Sequence, residues 1–263
     1  MFQRMFQLRR ILFPVDFSSR CRGAARYVQA LAGRFQAELI LLHVVEASYN
    51  STLEDLHDDR RQKLAQFFDR SLWQLHVQTR VEHGEAAQKI IQCASANQVD
   101  LIMIPTQGMG IYRRLILGST SAKVLHDADC PVWTGVHLEN APPLEAVACQ
   151  RILCAVDLKA GSPRVLDWAC RLAEEYQAEL TLLHVTSNEA ARGALERLLQ
   201  AADCQAKVRV ELGDPSKVVA QLAGELKADL LVIGRKSEAG VLGRLDMTSY
   251  SIIRQSPCPV VSV

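Results

Sequence analysis

The sequence lacks the features that mark several large function classes. Its charges nearly cancel: 30 lysines and arginines against 29 aspartates and glutamates leave a net +1. No basic stripe is therefore expected to hold nucleic acid or an anionic membrane surface. Long apolar runs are missing as well. A stretch such as Leu39 to Val45 is broken by His43 and is far shorter than the roughly 20 residues of a bilayer-spanning helix. The N-terminus carries arginines but no sustained apolar stretch with a cleavage site, so no secretory leader is expected and a cytoplasmic protein is the default reading. The eight cysteines are scattered and contain no Cys-x-x-Cys pair, which predicts mostly free thiols and no metal site. There is no G-x-x-x-x-G-K-[ST] loop and no G-x-S-x-G elbow, and Gly108-x-Gly110 is followed by Arg113 where a dinucleotide fingerprint needs glycine.

What is present is a duplication. Residues 11–16 read ILFPVD and residues 152–157 read ILCAVD, while 36–44 read QAELILLHV and 177–185 read QAELTLLHV, at a constant offset of 141. Near the end of each copy, Asp100-Leu-Ile-Met-Ile answers Asp229-Leu-Leu-Val-Ile, and Cys130 answers Cys258, each before a Pro-Val. A small buried apolar residue is the expected role of both cysteines. One fold built twice allows each position to be read against its internal partner. At 263 residues there is room for two domains with separate cores: residues 1–137, a linker over 138–150 carrying Pro142-Pro143, and residues 151–263.

Each copy alternates short β-rich runs with helical patterns, the mark of a parallel α/β sheet. The first copy predicts strands at Ile11–Val15, Leu39–Val45, Val77–Val81, Leu101–Ile104 and Pro131–Thr134. Helices are expected around Ala24–Phe35 and over 53–75, 86–97 and 119–127. The second predicts strands at Leu153–Val156, Leu180–Val185, Lys207–Val210, Leu230–Ile233 and Pro259–Val263, with a helix opening at Asp214-Pro215. Its crossover is shorter: Val44 to Gly84 spans 40 residues, Val185 to Gly213 only 28.

In an open parallel sheet, ligands lodge at the carboxyl ends of the strands, where strand order reverses. Asp16, Val44 and the loop from Pro105 to Gly118 fall there. Glycines such as Gly108 let backbone amides approach phosphate oxygens. Gly118-Ser119 then opens a helix whose amides and dipole favour an anion, and the hydroxyls of Ser119, Thr120 and Ser121 add donors. The pattern suits a nucleotide polyphosphate. In the second copy, twelve residues before Cys258 stands Asp246 where twelve before Cys130 stands Gly118. Asp246-Met247 therefore places a carboxylate and a bulky side chain where the anion would sit.

These segments resemble the universal stress protein family over nearly the whole chain, in tandem. The family's strand-one ending appears as Pro14-Val15-Asp16, its LLHV strand as Leu41–Val44, and its G-x-x-G, nine residues, G-[ST] loop as Gly108, nine residues and Gly118-Ser119. Pro105 replaces the first glycine. It offers no N–H and cannot take a positive φ, but it keeps its carbonyl. The resemblance implies an adenine-nucleotide alpha-hydrolase-like α/β fold, with two repeated open parallel five-stranded sheets of order 3-2-1-4-5 flanked by helices. It further implies ATP, or AMP or ADP, with magnesium as a candidate companion. Asp16 and the Val44 backbone would hold the nucleoside, with Gly108, Gly118, Ser119, Thr120 and Ser121 around the phosphates. The family pairs final strands across dimers, so Pro131–Thr134 and Pro259–Val263 could pair within one chain as a pseudo-dimer, and a homodimer of tandem chains is an alternative.

Simpler readings stand beside these. Asp16 and Asp157 can cap the helices that follow them, and Ser119 and Ser121 can do the same for theirs. His43 and His184, embedded in apolar strands, read as satisfied core histidines. Arg113 and Arg114 read as solvated. The expected function is a nucleotide-binding regulatory or stress-response protein without dedicated catalysis, its first domain binding and its second structural. Two alternatives remain open: a slow ATPase or phosphotransfer enzyme, and a nucleotide-free structural or protein-interaction module.

Overall fold

A computed structural model describes residues 6–46, 53–67, 75–105, 117–135, 147, 149–186, 191–235 and 246–263, without the side chains of 53–57. Two compact units emerge, one built on residues 7–133 and the other on residues 149–263.

In the N-terminal unit the elements run β1 (Arg10–Pro14), α1 (Ser19–Phe35), β2 (Glu38–Val45), α2 (Leu53–Ala65), β3 (Val77–His83), α3 (Ala86–Ala96), β4 (Leu101–Met103), α4 (Ser119–Asp127) and β5 (Val132–Thr134). The strands are parallel in the order β3-β2-β1-β4-β5, with Ile11 paired to Leu39 on one side and to Leu101 on the other. Central strands covered on both faces need side chains that leave water in both directions. Accordingly Ile11, Leu12, Phe13, Leu39, Leu42, Leu101 and Ile102 are fully buried. Burial at about 25 cal/mol per Å² of apolar surface drives this assembly.

The C-terminal unit repeats the plan: β6 (Arg151–Ala155), α5 (Ser162–Tyr176), β7 (Glu179–Thr186), α6 (Arg192–Ala201), β8 (Lys207–Leu212), α7 (Pro215–Glu225), β9 (Leu230–Ile233), α8 (Met247–Gln255) and β10 (Val260–Ser262). Its parallel order is β8-β7-β6-β9-β10. Asp214 caps α7 through the Lys217 amide, with Pro215 at the first turn. Gly84 and Gly213, at φ +136° and +133°, make the same left-handed turn after β3 and β8; a side chain is strained there.

The structure departs from the sequence reading at a helix end, at two expected caps and at two cysteines. The helix expected over 53–75 ends at Ala65. The Phe67 amide turns to Leu64 O, an i to i−3 bond, and the Phe67 ring packs against Phe13 and Phe17. The half-buried Phe67 thus leaves the helical path to pack on these rings; residues 68–74 lie outside the described residues. Neither Asp16 nor Asp157 caps its helix. Ser18 caps α1 through the Cys21 amide, and Gly161 opens α5 with no side-chain cap. The two aspartates brace the preceding turn, Asp16 accepting from the Ser18 amide and Asp157 from the Lys159 amide. Finally, two cysteines expected among free thiols, Cys170 and Cys204, form a disulfide.

Candidate functional site

The carboxyl end of β1 sits between β2 and β4, the point where strand order reverses. Pro14 is the last residue of β1 and pairs with Leu42, and the Val15 amide donates to Leu42 O at 2.7 Å. The β2–β3 ladder continues to Val45↔His83, with Val44 opposite Glu82. The β1-facing edge of β2 therefore runs beyond the β1 ladder at Val44. That is where a polar ring edge could find main-chain partners.

Around this edge the chain is tightly turned. Phe17 adopts φ 61°, and its repeat partner Leu158 adopts φ 59°. A bulky residue in the left-handed region costs about 1–2 kcal/mol, so tertiary contacts must hold it. Phe17 lies 4.6 Å from the His43 ring and 5.8 Å from Phe67, centroid to centroid. His43 Nδ1 stands 2.7 Å from Val15 O; a carbonyl only accepts, so Nδ1 carries the proton. Burial, foremost, lowers the His43 pKa below its ordinary value, helped by the charge of Arg60 and opposed by the Val15 contact and Asp16. His184 repeats the bond with Val156 O at 2.8 Å. Both histidines are thus held as structural groups. The sequence reading missed Phe17, because only glycine advertises a positive φ in sequence.

On the other side of the crevice, β4 leads through Ile104 to buried Pro105, and α4 opens at Gly118. The Ser121 hydroxyl donates to Pro105 O at 2.7 Å in a buried bond. It thereby fastens the helix start to the end of β4 and is not a helix cap. Gly118 has φ −60° and ψ 148° and supplies no side-chain cap, so among the described residues no side-chain oxygen caps the first turn. Ser119 is exposed and Thr120 half-buried. Gly108, Gly110, Arg113 and Arg114 lie outside the described residues.

The C-terminal unit offers the contrast. Asp246, aligned with Gly118, caps α8 by accepting from the Ser249 amide at 2.7 Å, and Met247 is 80% exposed. A carboxylate already occupies the helix start that an external anion would need. Ser249 repeats the tie of Ser121 more loosely, its hydroxyl 3.4 Å from Gly234 O. Gly234 does not adopt a left-handed φ; a Cβ there would lie 3.1 Å from Val165 Cγ2. Steric room, not backbone freedom, explains that glycine. The repeat partner of Val165 is the smaller Ala24, consistent with a proline at 105.

Among the described residues no group of His, Cys, Asp and Glu could hold a metal ion, and no helix is long and apolar enough to cross a membrane.

The profile of the universal stress protein family matches residues 7–134, 149–195 and 186–263. The chain belongs to this family. It is similar along 96% of its length to a universal stress protein of Mycolicibacterium smegmatis, at 26% identity over 290 residues and 96% of that relative. A universal stress protein of Methanocaldococcus jannaschii is 27% identical over 135 residues, covering 47% of this chain and 79% of the relative. In fold, the chain matches the crystal structure of a universal stress protein from Archaeoglobus fulgidus with a TM-score of 0.82 at 23% identity, over 98% of both chains.

Proposed function

We propose that residues 1–137 form a domain that binds an adenine nucleotide, ATP or its di- or monophosphate, as the sensing element of a stress-response protein. Residues 151–263 form a second domain that supports the first without binding a nucleotide in the same manner, and residues 138–150 link them. The observation that carries this reading is the difference between two equivalent helix starts. The first turn of α4 has no side-chain cap at Gly118, whereas Asp246 fills that role in α8. An uncapped first turn keeps its amides for an anion, and the helix dipole strengthens the attraction.

In this reading the Ser119, Thr120 and Ser121 amides face the phosphates, with Gly108 completing the loop. The Ser121 hydroxyl, committed to Pro105 O, sets the position of that turn. The open edge of β2 at Val44, with Pro14, Val15 and Asp16 beside it, takes the nucleoside. Magnesium would arrive with the nucleotide. No catalytic step is assigned, since no general base with a reacting partner is positioned at this end of the sheet among the described residues.

Isothermal calorimetry of the whole protein with ATP, ADP, AMP and GTP tests the proposal. Saturable binding of one equivalent per chain, with adenine preferred over guanine, is expected. Two equivalents would overturn the assignment of a single site, and no heat with any of the four would overturn nucleotide binding itself.

A further inference from the structure

The two copies fasten their crossovers by different means. In the N-terminal unit Phe13, Phe67 and Phe17 pack together at the end of α2. In the C-terminal unit the position of Phe13 is taken by Cys154 and that of Phe17 by Leu158. The crossover helix α6 has no side-chain N-cap and buries Leu195 and Leu199, against eight buried residues in α5. Its downstream end is held covalently. Cys170, buried in α5, is bonded to Cys204, which follows α6 and is half-buried, with a Cα–Cα distance of 6.0 Å. That separation is the usual one for a disulfide. The bond has no counterpart in the first copy. Cys170 aligns with Gln29 at the offset of 141, and the registers Thr181↔Lys207 and Ile40↔Gln78 align Cys204 with Leu75.

We propose that Cys170 and Cys204 are a thiol–disulfide exchange site whose partner is a small disulfide of the glutathione class, and that opening the bond releases α6 from α5. Exposure orders the steps. In oxidation the Cys204 thiolate attacks one sulfur of glutathione disulfide, forming a mixed disulfide and expelling one glutathione thiolate. The Cys170 thiolate then attacks Cys204 Sγ and expels the second. Two protein thiols are oxidised, one glutathione disulfide becomes two glutathiones, and the two thiol protons pass to the leaving thiolates. Reduction is the reverse, a glutathione thiolate entering at Cys204, the more exposed of the two residues. The buried thiols of Cys21, Cys93, Cys154 and Cys258 compete poorly, because the thiolate is the nucleophile. Burial pushes Cys154 up to about 12 and Cys258 up to about 11, and raises Cys21 and Cys93 as well.

The whole protein, equilibrated at graded ratios of reduced to oxidised glutathione, is quenched in acid, alkylated with N-ethylmaleimide and mapped by mass spectrometry. Peptides holding Cys170 and Cys204 should pass together from bonded to alkylated as the ratio rises. In Cys170→Ser, Cys204 should accumulate as a mixed disulfide with glutathione. Amide exchange of the reduced wild type should rise about tenfold over residues 192–204 while β6 and β9 stay protected. A pair that stays alkylated at every ratio overturns the proposal, as does one that stays bonded under native excess of dithiothreitol. A bond that opens without changing exchange in α6 overturns its second half. The wild-type titration decides the exchange even where the serine variant fails to fold.

Discussion

Gly118→Asp copies into α4 the residue that already stands at the matching position of α8. Asp246 adopts φ −87° and ψ 170°, and Gly118 adopts φ −60° and ψ 148°, so both are extended and the new side chain needs no backbone change. Aspartate exceeds glycine at an N-cap by a few tenths of a kcal/mol, and a carboxylate in the first turn adds about 0.3–1 kcal/mol against the dipole. The ligand-free N-terminal unit should therefore gain about 0.5–1 kcal/mol, a rise of roughly 2–4 °C in its Tm for a domain of this size. Nucleotide reverses the ranking. At a concentration a hundred times its Kd, a ligand stabilises the wild type by about 2.7 kcal/mol, whereas the aspartate repels the phosphates and occupies their amides. The variant should melt above the wild type without nucleotide and below it with nucleotide. Differential scanning calorimetry with and without ATP, ADP and AMP reads both signs. A variant that loses stability in the absence of ligand refutes the capping argument. One that gains as much from nucleotide as the wild type refutes the placement of the phosphates.

Ser121→Ala leaves Pro105 O without its buried donor and should destabilise the N-terminal unit by about 1–3 kcal/mol in urea unfolding, with weaker nucleotide binding in calorimetry as the helix start loosens. Leu64→Ala empties a fully buried position in α2 and should cost about 3 kcal/mol by the same unfolding assay; a loss near zero would show that α2 is not docked through Leu64. Burial alone would raise the Asp157 pKa, but the Lys159 amide and ammonium and the Ser162 hydroxyl outweigh it and hold the carboxyl below its ordinary 3.8. A depressed carboxyl stabilises the fold above its unfolded pKa, and that contribution disappears as pH falls through the folded pKa. Asp157→Asn should therefore be less stable than the wild type at neutral pH, with the gap closing as pH falls through the depressed folded pKa; a constant gap in pH-dependent melts would refute this.

The parts of the fold legible in the sequence were those where one physical requirement dominates. β2 and β7 announce themselves as largely apolar runs because both faces are covered, and Asp214-Pro215 marks a helix start because capping and a fixed φ coincide there. β3 and β8 run further than expected, to His83 and Leu212, since polar residues on an edge strand hide its length. Asp16 and Asp157 misled because a carboxylate that accepts from the amide two residues on braces a turn with the same chemistry that capping uses. Cys170 and Cys204 are 34 residues apart with no motif between them, and only the docking of α6 brings them together. At the candidate site, the contrast of Gly118 with Asp246 was legible through the repeat. The bond from Ser121 to Pro105 and the left-handed Phe17 were not, because both depend on packing between distant segments.

The strand order has a consequence for synthesis. β1 is the first strand to be made and stands at the centre of its sheet, where Ile11 waits for Leu101. In the second unit Ile152 waits in the same way for Leu230. Such non-local pairing makes folding slow relative to helical domains of equal size. A nascent chain stopped before β4 exposes the apolar edge of β1, and one stopped before β9 exposes that of β6. Termination before β4 leaves the first sheet open and aggregation-prone, and termination before β9 leaves the second one so.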